Sequence, residues 1–441
     1  MNRLSTNVPR TREIAKVVAV ANFGTWIDWY DFFLSALVAT TVWPLVFFPR
    51  TMPPTVAVAY SAILFAAVYA ARPVGAYIFG HYGDTLGRKT ALVWTMVITA
   101  LAVLAIGIMP GYEIIGFMAP ILLGVFRFLQ GLAVGGEYGP VISWVGEYAS
   151  RSKWRTFWIG ITQAVISIGT VTASAVMTIG LLLLPRAAFV SYGWRIPYLL
   201  GASVGLVAVI IRVKFAESPL FMPILKERRQ EKYPASLVLK RHWKKTFALA
   251  FVPMVTVGTT GVVLIPFGLP YMESLGLPLS FASFSIMIGG VAGAVAVILG
   301  SMLGSKIRKR VILLFACVCW IVVMFPYFWL IQTLNPVLII VAQIMAFGLQ
   351  SFGASVQNPL LVEQYPTKIR ASGTGFATQL TGIYGGIATG IVLPWMLLTA
   401  GSVKNAWPLV AIGGMIMLGG VFLVTLFIKE PKPAPLEELD R

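Results

Sequence analysis

The sequence contains little charge and few residues that form disulfides or bind metals. Only 11% of its 441 residues are charged and 58% are hydrophobic, whereas a soluble domain usually carries about a quarter charged residues. This scarcity of charge excludes a globule surrounded by water. Cys317 and Cys319 lie two positions apart in one apolar stretch, which disfavours an internal disulfide. The chain has two histidines, too few to predict a structural metal site.

Motifs of catalysis and of nucleic-acid binding are also missing. The chain has no phosphate-binding glycine loop, and its Ser, His and Asp residues are not arranged as a triad. We therefore expect neither an enzyme nor a bound cofactor. The net charge of +18 would elsewhere indicate nucleic acid. Here the basic residues lie in short tracts between apolar stretches, as membrane topology requires, so nucleic acid is not an expected partner.

A series of long apolar stretches dominates the sequence. A bilayer core of about 30 Å needs about 20 apolar helical residues, and this criterion predicts an all-α membrane protein with twelve transmembrane helices. The stretch that follows the basic residues 1–16 is too long for a signal peptide and is expected to be the first span. The predicted spans are 15–43, 55–80, 91–109, 115–146, 157–184, 195–213, 246–272, 281–303, 311–330, 335–359, 371–399 and 406–428.

The distribution of Lys and Arg predicts the orientation of these spans. With the N-terminus inside, the inner segments hold seven times as many basic residues as the outer loops, which predicts both termini in the cytoplasm of a plasma-membrane protein. The basic connection 214–245 separates an N-terminal six-helix bundle, 1–213, from a C-terminal six-helix bundle with a short tail, 246–441. This connection is either a solvated linker or short amphipathic helices on the anionic inner leaflet.

One short pattern occurs in both predicted bundles. Glu147 precedes Arg155 where spans four and five meet, and Glu363 precedes Arg370 where spans ten and eleven meet. Repeated halves with a cavity between them are typical of secondary carriers. The pattern therefore favours a solute carrier.

Several ionisable residues lie deep inside predicted spans, where one charge costs about 2.5–3.5 kcal/mol. Asp28 and Asp31 share one face of span one. Asp31 and Arg127 are each roughly 12–16 residues from a span end, so both are expected near the middle of the bilayer, where they can neutralise each other. The pair is either a static contact or a switch in which a protonated Asp31 releases Arg127 to bind an anion. Glu137 is either a second proton site or a gate residue.

Other polar residues in the spans have two interpretations each. Arg72 either extends to the membrane surface or lies in a substrate path. The uncharged residues form either helix–helix hydrogen bonds or ligand contacts. These uncharged candidates are Asn22, Gln163, Gln350, Gln357, Asn358 and Gln379.

The loop between spans two and three carries a recognisable spacing, Gly80, three residues, Asp84, and then Gly87 with Arg88. It resembles the signature loop of the major facilitator superfamily. The glycines permit a tight turn, Asp84 can cap the next helix, and Arg88 can pair with an acid across the halves. Further segments resemble motifs of the metabolite:proton symporters in that superfamily. They are residues 28–33, 72–75, 127–137, 193–197, 217–219 and 365–370.

This resemblance implies a transporter that imports a small organic acid or a zwitterion together with protons, by alternating access and as a monomer. It implies Asp31 as the proton-coupling carboxylate and Arg127 as its partner, with Asp28 and Glu137 as further candidates. Arg127 and the uncharged span residues would bind the substrate. The signature loop and the repeated Glu and Arg residues would control gating.

Departures from the family pattern narrow the range of expected substrates. The second half has no predicted intramembrane cation, so a mono- or dicarboxylate, or a zwitterion, fits better than a tricarboxylate. About 13 residues follow the last span, too few for the coiled coil of osmosensing members. A sugar porter and a proton-coupled exporter remain alternatives within transport. A receptor or channel without alternating access is the alternative from another class.

Overall fold

The computed structural model describes residues 11–213, 234–431 and 435–436 of the chain. All regular structure in these residues is helical, and eleven of the helices are long and apolar enough to cross a membrane. The helix Thr11–Thr41 adds a twelfth. Its 31 residues extend about 46 Å, while Asp28 and Asp31 lower its hydropathy. The predicted all-α membrane protein with twelve spanning helices is therefore confirmed.

The twelve spanning helices are numbered α1 to α12 in chain order, and most begin or end within four residues of the predicted limits. The largest difference is at the end of α2, which continues to Thr85 rather than ending at position 80. The bounds are Thr11–Thr41, Pro54–Thr85, Arg88–Ile108, Met118–Tyr148, Arg155–Leu183, Arg195–Val213, Trp243–Ser274, Leu279–Gly304, Lys309–Gln332, Pro336–Val362, Thr367–Ala400 and Trp407–Phe427.

Three of these helices depart from regular α geometry near the centre of the bundle. Helix α5 contains the 3₁₀ turn Ile161–Gln163. Helices α7 and α11 contain the π-helical segments Thr259–Phe267 and Ala388–Val392. Pro266 lies inside the first π segment and lacks the N–H that a regular α-helix would use there. Such segments often occur at functional sites, and the one in α7 faces the interface between the halves.

The N-terminal half, α1–α6, meets the C-terminal half, α7–α12, through two equivalent sets of contacts. Helix α5 packs along α8, and α11 packs along α2 and α4. If the second half repeats the first, α8 corresponds to α2 and α11 corresponds to α5. The same interface is therefore formed twice, as expected for repeated halves around a central path.

One end of the bundle carries the α2–α3, α4–α5, α8–α9 and α10–α11 connections, and we call it the basic end. The helix Pro234–Arg241 lies there and packs against α2 and α11, with Ala235 and Val238 buried. The connection predicted at 214–245 thus contains at least one short helix. Its residues 214–233 lie outside the described part of the chain.

Helices α2 and α4 approach each other closely because glycines line their contact. A Cβ atom at Gly75, Gly131 or Gly135 would overlap the backbone carbonyl of Leu132, Val68 or Arg72, respectively. Small residues allow such backbone approach in membrane helices. The contact fixes the position of α2, and hence of Arg72, relative to α4.

Candidate functional site

Asp31 and Arg127 meet in the N-terminal half, as their predicted depths indicated. Arg127 Nη1 lies 3.7 Å from Asp31 Oδ2, and the two residues are 0% and 3% exposed. Gln130 bridges them, since its Nε2 donates to Asp31 Oδ2 at 2.6 Å and its Oε1 accepts from Arg127 Nη1 at 2.8 Å. We call Asp31 and Arg127, together with the bridging Gln130, the central ion pair.

The hydrogen bonds of the central ion pair are incomplete. Asp31 Oδ1 and Arg127 Nε and Nη2 have no hydrogen-bond partner, although buried charges usually require such partners. Gln130 was not among the predicted site residues. Its position three residues after Arg127, on the same face of the helix, was the signal that could have identified it.

Asp28 and Glu137 belong to a second buried group, nearer the basic end. Arg212 Nη1 lies 2.9 Å from Glu137 Oε1, and Thr25 Oγ1 donates to the same oxygen at 2.9 Å. Arg212 Nη2 also donates to the carbonyl oxygen of Ala21 at 2.7 Å. We call Asp28, Glu137, Arg212 and Thr25 the Glu137 cluster.

The Glu137 cluster holds two carboxyl groups and one guanidinium. By formal count its charge is −1 when both carboxyl groups are ionised and zero when one of them carries a proton.

Arg212 was not among the predicted site residues. Arg212 is 3% exposed, and its guanidinium lies against Gly24, where a Cβ atom would be only 2.8 Å from Cζ. The absence of a side chain at Gly24 thus lets Arg212 reach inward. The predicted span 195–213 includes Arg212, and this position inside a span was the signal that could have identified it.

Arg72 lies at the centre of the bundle, so the interpretation in which it extends to the membrane surface is wrong. It is 3% exposed. Its Cζ atom lies 4.8 Å from the ring centre of Tyr69, 5.0 Å from that of Phe32 and 5.8 Å from that of Trp29. Its Nε and Nη2 atoms have no hydrogen-bond partner.

Two small cavities lie between the halves beside Arg72. One has a volume of about 10 Å³ and is lined by Arg72, the aromatic residues around it and the π segment of α7. The other has a volume of about 20 Å³ and includes Tyr138, Gln357 and Gln379 in its lining. Each is about the size of one water molecule, so the halves must separate before a solute can enter.

The C-terminal half lines these cavities with uncharged polar groups. Thr260 Oγ1 donates to Gln350 Oε1 at 3.0 Å, and Gln350 Nε2 donates to Thr256 Oγ1 at 3.2 Å. Thr256 Oγ1 also donates to Gln357 Oε1 at 3.3 Å. These neutral groups can exchange hydrogen-bond partners without separating charges.

Two of the predicted substrate contacts instead form a layer across the halves. Tyr138 donates to Gln163 Oε1 at 2.6 Å, and Gln163 Nε2 donates to Asn358 Oδ1 at 3.2 Å. Asn358 Nδ2 donates to Thr162 Oγ1 at 2.8 Å. Asn22 does not line either central cavity. Of the uncharged candidates, Gln357 and Gln379 are the ones that line a central cavity.

The repeated Glu and Arg residues pair crosswise at the basic end. Arg370 Nη1 lies 3.4 Å from Glu147 Oε1, and Arg155 Nη2 lies 2.9 Å from Glu363 Oε1. Lys309 adds a contact of 3.2 Å to Glu363. Each half therefore supplies the acid of one pair and the base of the other, and the pairs hold this end closed.

The signature loop also joins the two halves at this end. Ser372, in the first turn of α11, donates to Asp84 Oδ2 from its backbone N at 2.9 Å and from its Oγ at 2.6 Å. Asp84 thus interacts with the start of α11, and Gly87 with φ 112° precedes α3. A Cβ atom at Gly80 would lie 3.3 Å from Ser372 Cα. The Arg88 side chain lies outside the described part of the structure.

The other end of the bundle has a weaker link between the halves. Arg186 Nη2 lies 2.6 Å from Glu273 Oε1, and their side chains are 65% and 26% exposed. Exposed pairs contribute little stability, about 0–1 kcal/mol. The closure of the bundle is therefore asymmetric, with the stronger contacts at the basic end.

Comparison with known proteins defines the class of this molecule. Residues 23–390 match the model of the Major Facilitator Superfamily, and the chain belongs to that superfamily. The solved structure of the proton:xylose symporter XylE with bound 6-bromo-6-deoxy-D-glucose has the same fold, with a TM-score of 0.75 at 15% identity over 98% of this chain and 99% of that one.

The chain is also similar to curated proteins that are named as metabolite transporters. The inner membrane metabolite transport protein YhjE of Escherichia coli K12 is 30% identical over 416 residues, which cover 91% of this chain and 92% of that protein. The shikimate transporter of the same organism is 29% identical over 381 residues, or 84% and 85% of the two chains. The chain is therefore a multi-pass transporter of the plasma membrane and not an enzyme, and the resemblance seen in its sequence is confirmed.

Proposed function

We propose that this protein imports a small organic acid or zwitterion together with protons, by alternating access. The central ion pair carries the proposal, because Asp31 and Arg127 are buried 3.7 Å apart. Arg127 has a neutralising partner only while Asp31 is ionised. A proton on Asp31 removes that partner without any large movement of the helices.

The charge balance at the centre favours an anion. Arg72 and Arg127 are two cations, and Asp31 is one carboxylate. Protonation of Asp31 raises the net charge of these three groups from +1 to +2 by formal count. A bound anion then favours the proton by the same free energy as the proton favours the anion, which couples the two.

The orientation follows from the distribution of basic residues. We take the basic end as cytoplasmic. Release into the cytoplasm then requires the crosswise ion pairs and the layer of Tyr138, Gln163 and Asn358 to open. A neutral sugar is the second candidate, because hydroxyl and amide groups line the cavities on the C-terminal side.

Transport by Asp31→Asn in proteoliposomes tests the proposal. The assay uses shikimate, proline, betaine, pyruvate, succinate and xylose, each with and without an inward proton gradient. For wild type, the gradient is expected to drive accumulation of at least one carboxylate. For Asp31→Asn, gradient-driven accumulation should vanish while counterflow exchange survives, because asparagine mimics the permanently protonated state.

The pH dependence of binding provides a second measurement. Since protonation leaves Arg127 without its counter-ion, carboxylate affinity should rise as pH falls in wild type and be nearly independent of pH in Asp31→Asn. Glu113→Gln is the matched control, because Glu113 is an exposed acid paired with Arg50. Equal loss of accumulation and exchange in Asp31→Asn would instead indicate a structural role, and accumulation of xylose alone would favour the sugar.

A further inference from the structure

The N-terminal half has three buried arginines among the described residues, and two of them have a carboxylate as counter-ion. Arg127 has Asp31 at 3.7 Å, and Arg212 has Glu137 at 2.9 Å. Arg72 is equally buried, but no carboxylate of the described part of the chain forms an ion pair with it. An arrangement of this kind is unfavourable for folding, so its presence calls for a functional explanation.

The surroundings of Arg72 stabilise the guanidinium without neutralising it. Tyr69, Phe32 and Trp29 present their rings to it at 4.8–5.8 Å. Aromatic faces attract a cation through their quadrupole, but they carry no net charge. The guanidinium therefore keeps its charge, and the unpartnered Nε and Nη2 atoms remain available to an acceptor.

Arg72 also lines both central cavities. Its backbone is fixed by the close contact of its carbonyl group with Gly135 of α4. Gly382 of α11 lies against its side chain, since a Cβ atom there would be 3.2 Å from Arg72 Cδ. Arg72 is thus at the boundary between the halves, which is where a cargo must bind in alternating access.

We propose that Arg72 binds the carboxylate of the cargo, and that the cargo is a small monocarboxylate carrying hydroxyl groups. This inference rests on the proposed function in that the cargo is an anion. A guanidinium presents paired donors that match a carboxylate in a bidentate contact. Arg127 then acts through its charge and its pairing with Asp31 rather than as the anchor.

The lining of the C-terminal half selects the rest of the cargo. Thr256, Thr260, Gln357 and Gln379 offer hydroxyl and amide groups, which suit the hydroxyl groups of a ligand. No carboxylate lines either cavity within the described residues, so the ammonium of a zwitterion would lack a partner. A second carboxylate on the ligand would have, in the described part of the chain, no cationic partner besides Arg72 in either cavity, because Arg127 lines neither of them.

Isothermal titration of the purified full chain in detergent tests this assignment. The probes are L-lactate, D-gluconate and quinate, each with its primary amide, and glycine betaine and succinate for comparison. Wild type is expected to bind at least one hydroxylated acid more tightly than its amide, glycine betaine or succinate. Arg72→Gln should weaken that binding by about 30-fold or more, as expected when one partner of a buried charge pair is removed.

Two further variants separate binding from folding. Arg72→Lys retains the charge and should keep the preference for acid over amide at reduced affinity. Arg50→Gln, at an exposed arginine whose ion pair lies within the N-terminal half, should bind like wild type. Without ligand, the melting temperature of Arg72→Gln should be at or above that of wild type, because the substitution removes a buried charge that has no counter-ion.

Several outcomes would overturn the assignment. They are unchanged affinity in Arg72→Gln, equal binding of acid and amide, tighter binding of betaine or succinate, no binding of any hydroxylated acid, and a lower melting temperature of Arg72→Gln. If wild type accumulates an acid with protons while Arg72→Gln binds it normally, the proposed function stands and the role of Arg72 fails. If wild type accumulates no carboxylate, the proposed function itself fails.

Discussion

The two halves of the bundle share one architecture but divide the chemistry between them. Buried Asp, Glu, Lys and Arg side chains away from the basic end belong to the N-terminal half, whereas the C-terminal half presents hydroxyl and amide groups there, among the described residues. The charged set is Asp28, Asp31, Arg72, Arg127, Glu137 and Arg212. The neutral set is Thr256, Thr260, Gln350, Gln357 and Gln379.

This division has a physical reason. Separating buried charges is costly because each charge loses its partner in a medium of low dielectric. Neutral hydrogen bonds each contribute only about 1 kcal/mol net and can be exchanged. A half that holds its charges in fixed groups can remain rigid, while the opposite half makes and breaks weak contacts with the cargo.

The largest expected effect comes from unbalancing the Glu137 cluster. Arg212→Leu leaves the Glu137 carboxylate without its cation, and breaking a buried pair in this way typically costs about 3–5 kcal/mol. The melting temperature in detergent should therefore fall more than for the other substitutions discussed here. Adding Glu137→Gln should recover at least half of the loss, and no recovery would mean that the charges of this half are not held in balanced groups.

An intermediate effect is expected where the C-terminal half does carry charge, at the basic end. Glu363→Gln removes the acid that contacts both Arg155 and Lys309. A loss of about 1–2 kcal/mol would shift the closed state toward opening by roughly 5- to 30-fold. Labelling of a cysteine at Thr162 by a water-soluble maleimide measures this shift.

The labelling needs a background without Cys317 and Cys319. Arg50→Gln is the matched control, since it removes an exposed ion pair at the other end that lies within the N-terminal half and should leave the labelling rate unchanged. If Glu363→Gln also leaves the rate unchanged, the crosswise pairs do not hold the basic end closed.

The smallest effect is expected from a substitution in the neutral set of the C-terminal half. Thr260→Val keeps the shape of the side chain and removes the hydroxyl that donates to Gln350. The transport affinity should weaken only about fivefold, in line with about 1 kcal/mol for one hydrogen bond. Under the proposed proton coupling, the number of protons carried per cargo molecule should not change, and a changed ratio would contradict the division between the halves.

The sequence could predict the number of helices, the fold class and the meeting of Asp31 with Arg127. Each of these depends on distance along single helices. Apolar length fixes the spans, and the rise per residue fixes depth. The crosswise pairing of Glu147 with Arg370 could not be predicted in the same way. It depends on how the two repeats are arranged around each other, and the sequence pattern alone favours neither partner.

The errors have a common cause. The positions of Arg72 and Arg212 depend on where long, flexible side chains point, which depends on glycines in neighbouring helices. Gly24 makes room for Arg212, and Gly135 positions the backbone of Arg72. Such contacts join residues far apart in the sequence, so a helix-by-helix assessment did not single out Arg212 and left the position of Arg72 undecided.

The glycine contact between α2 and α4 has a consequence for inhibition. It makes Arg72 and Arg127 parts of one rigid body. Under the proposed alternating access, a compound that bound the N-terminal half alone would keep the same contacts in both orientations of the carrier. Such a compound would be carried rather than arrest the cycle. An effective blocker must also bind α7 or α11, so that it holds the C-terminal half against the N-terminal half.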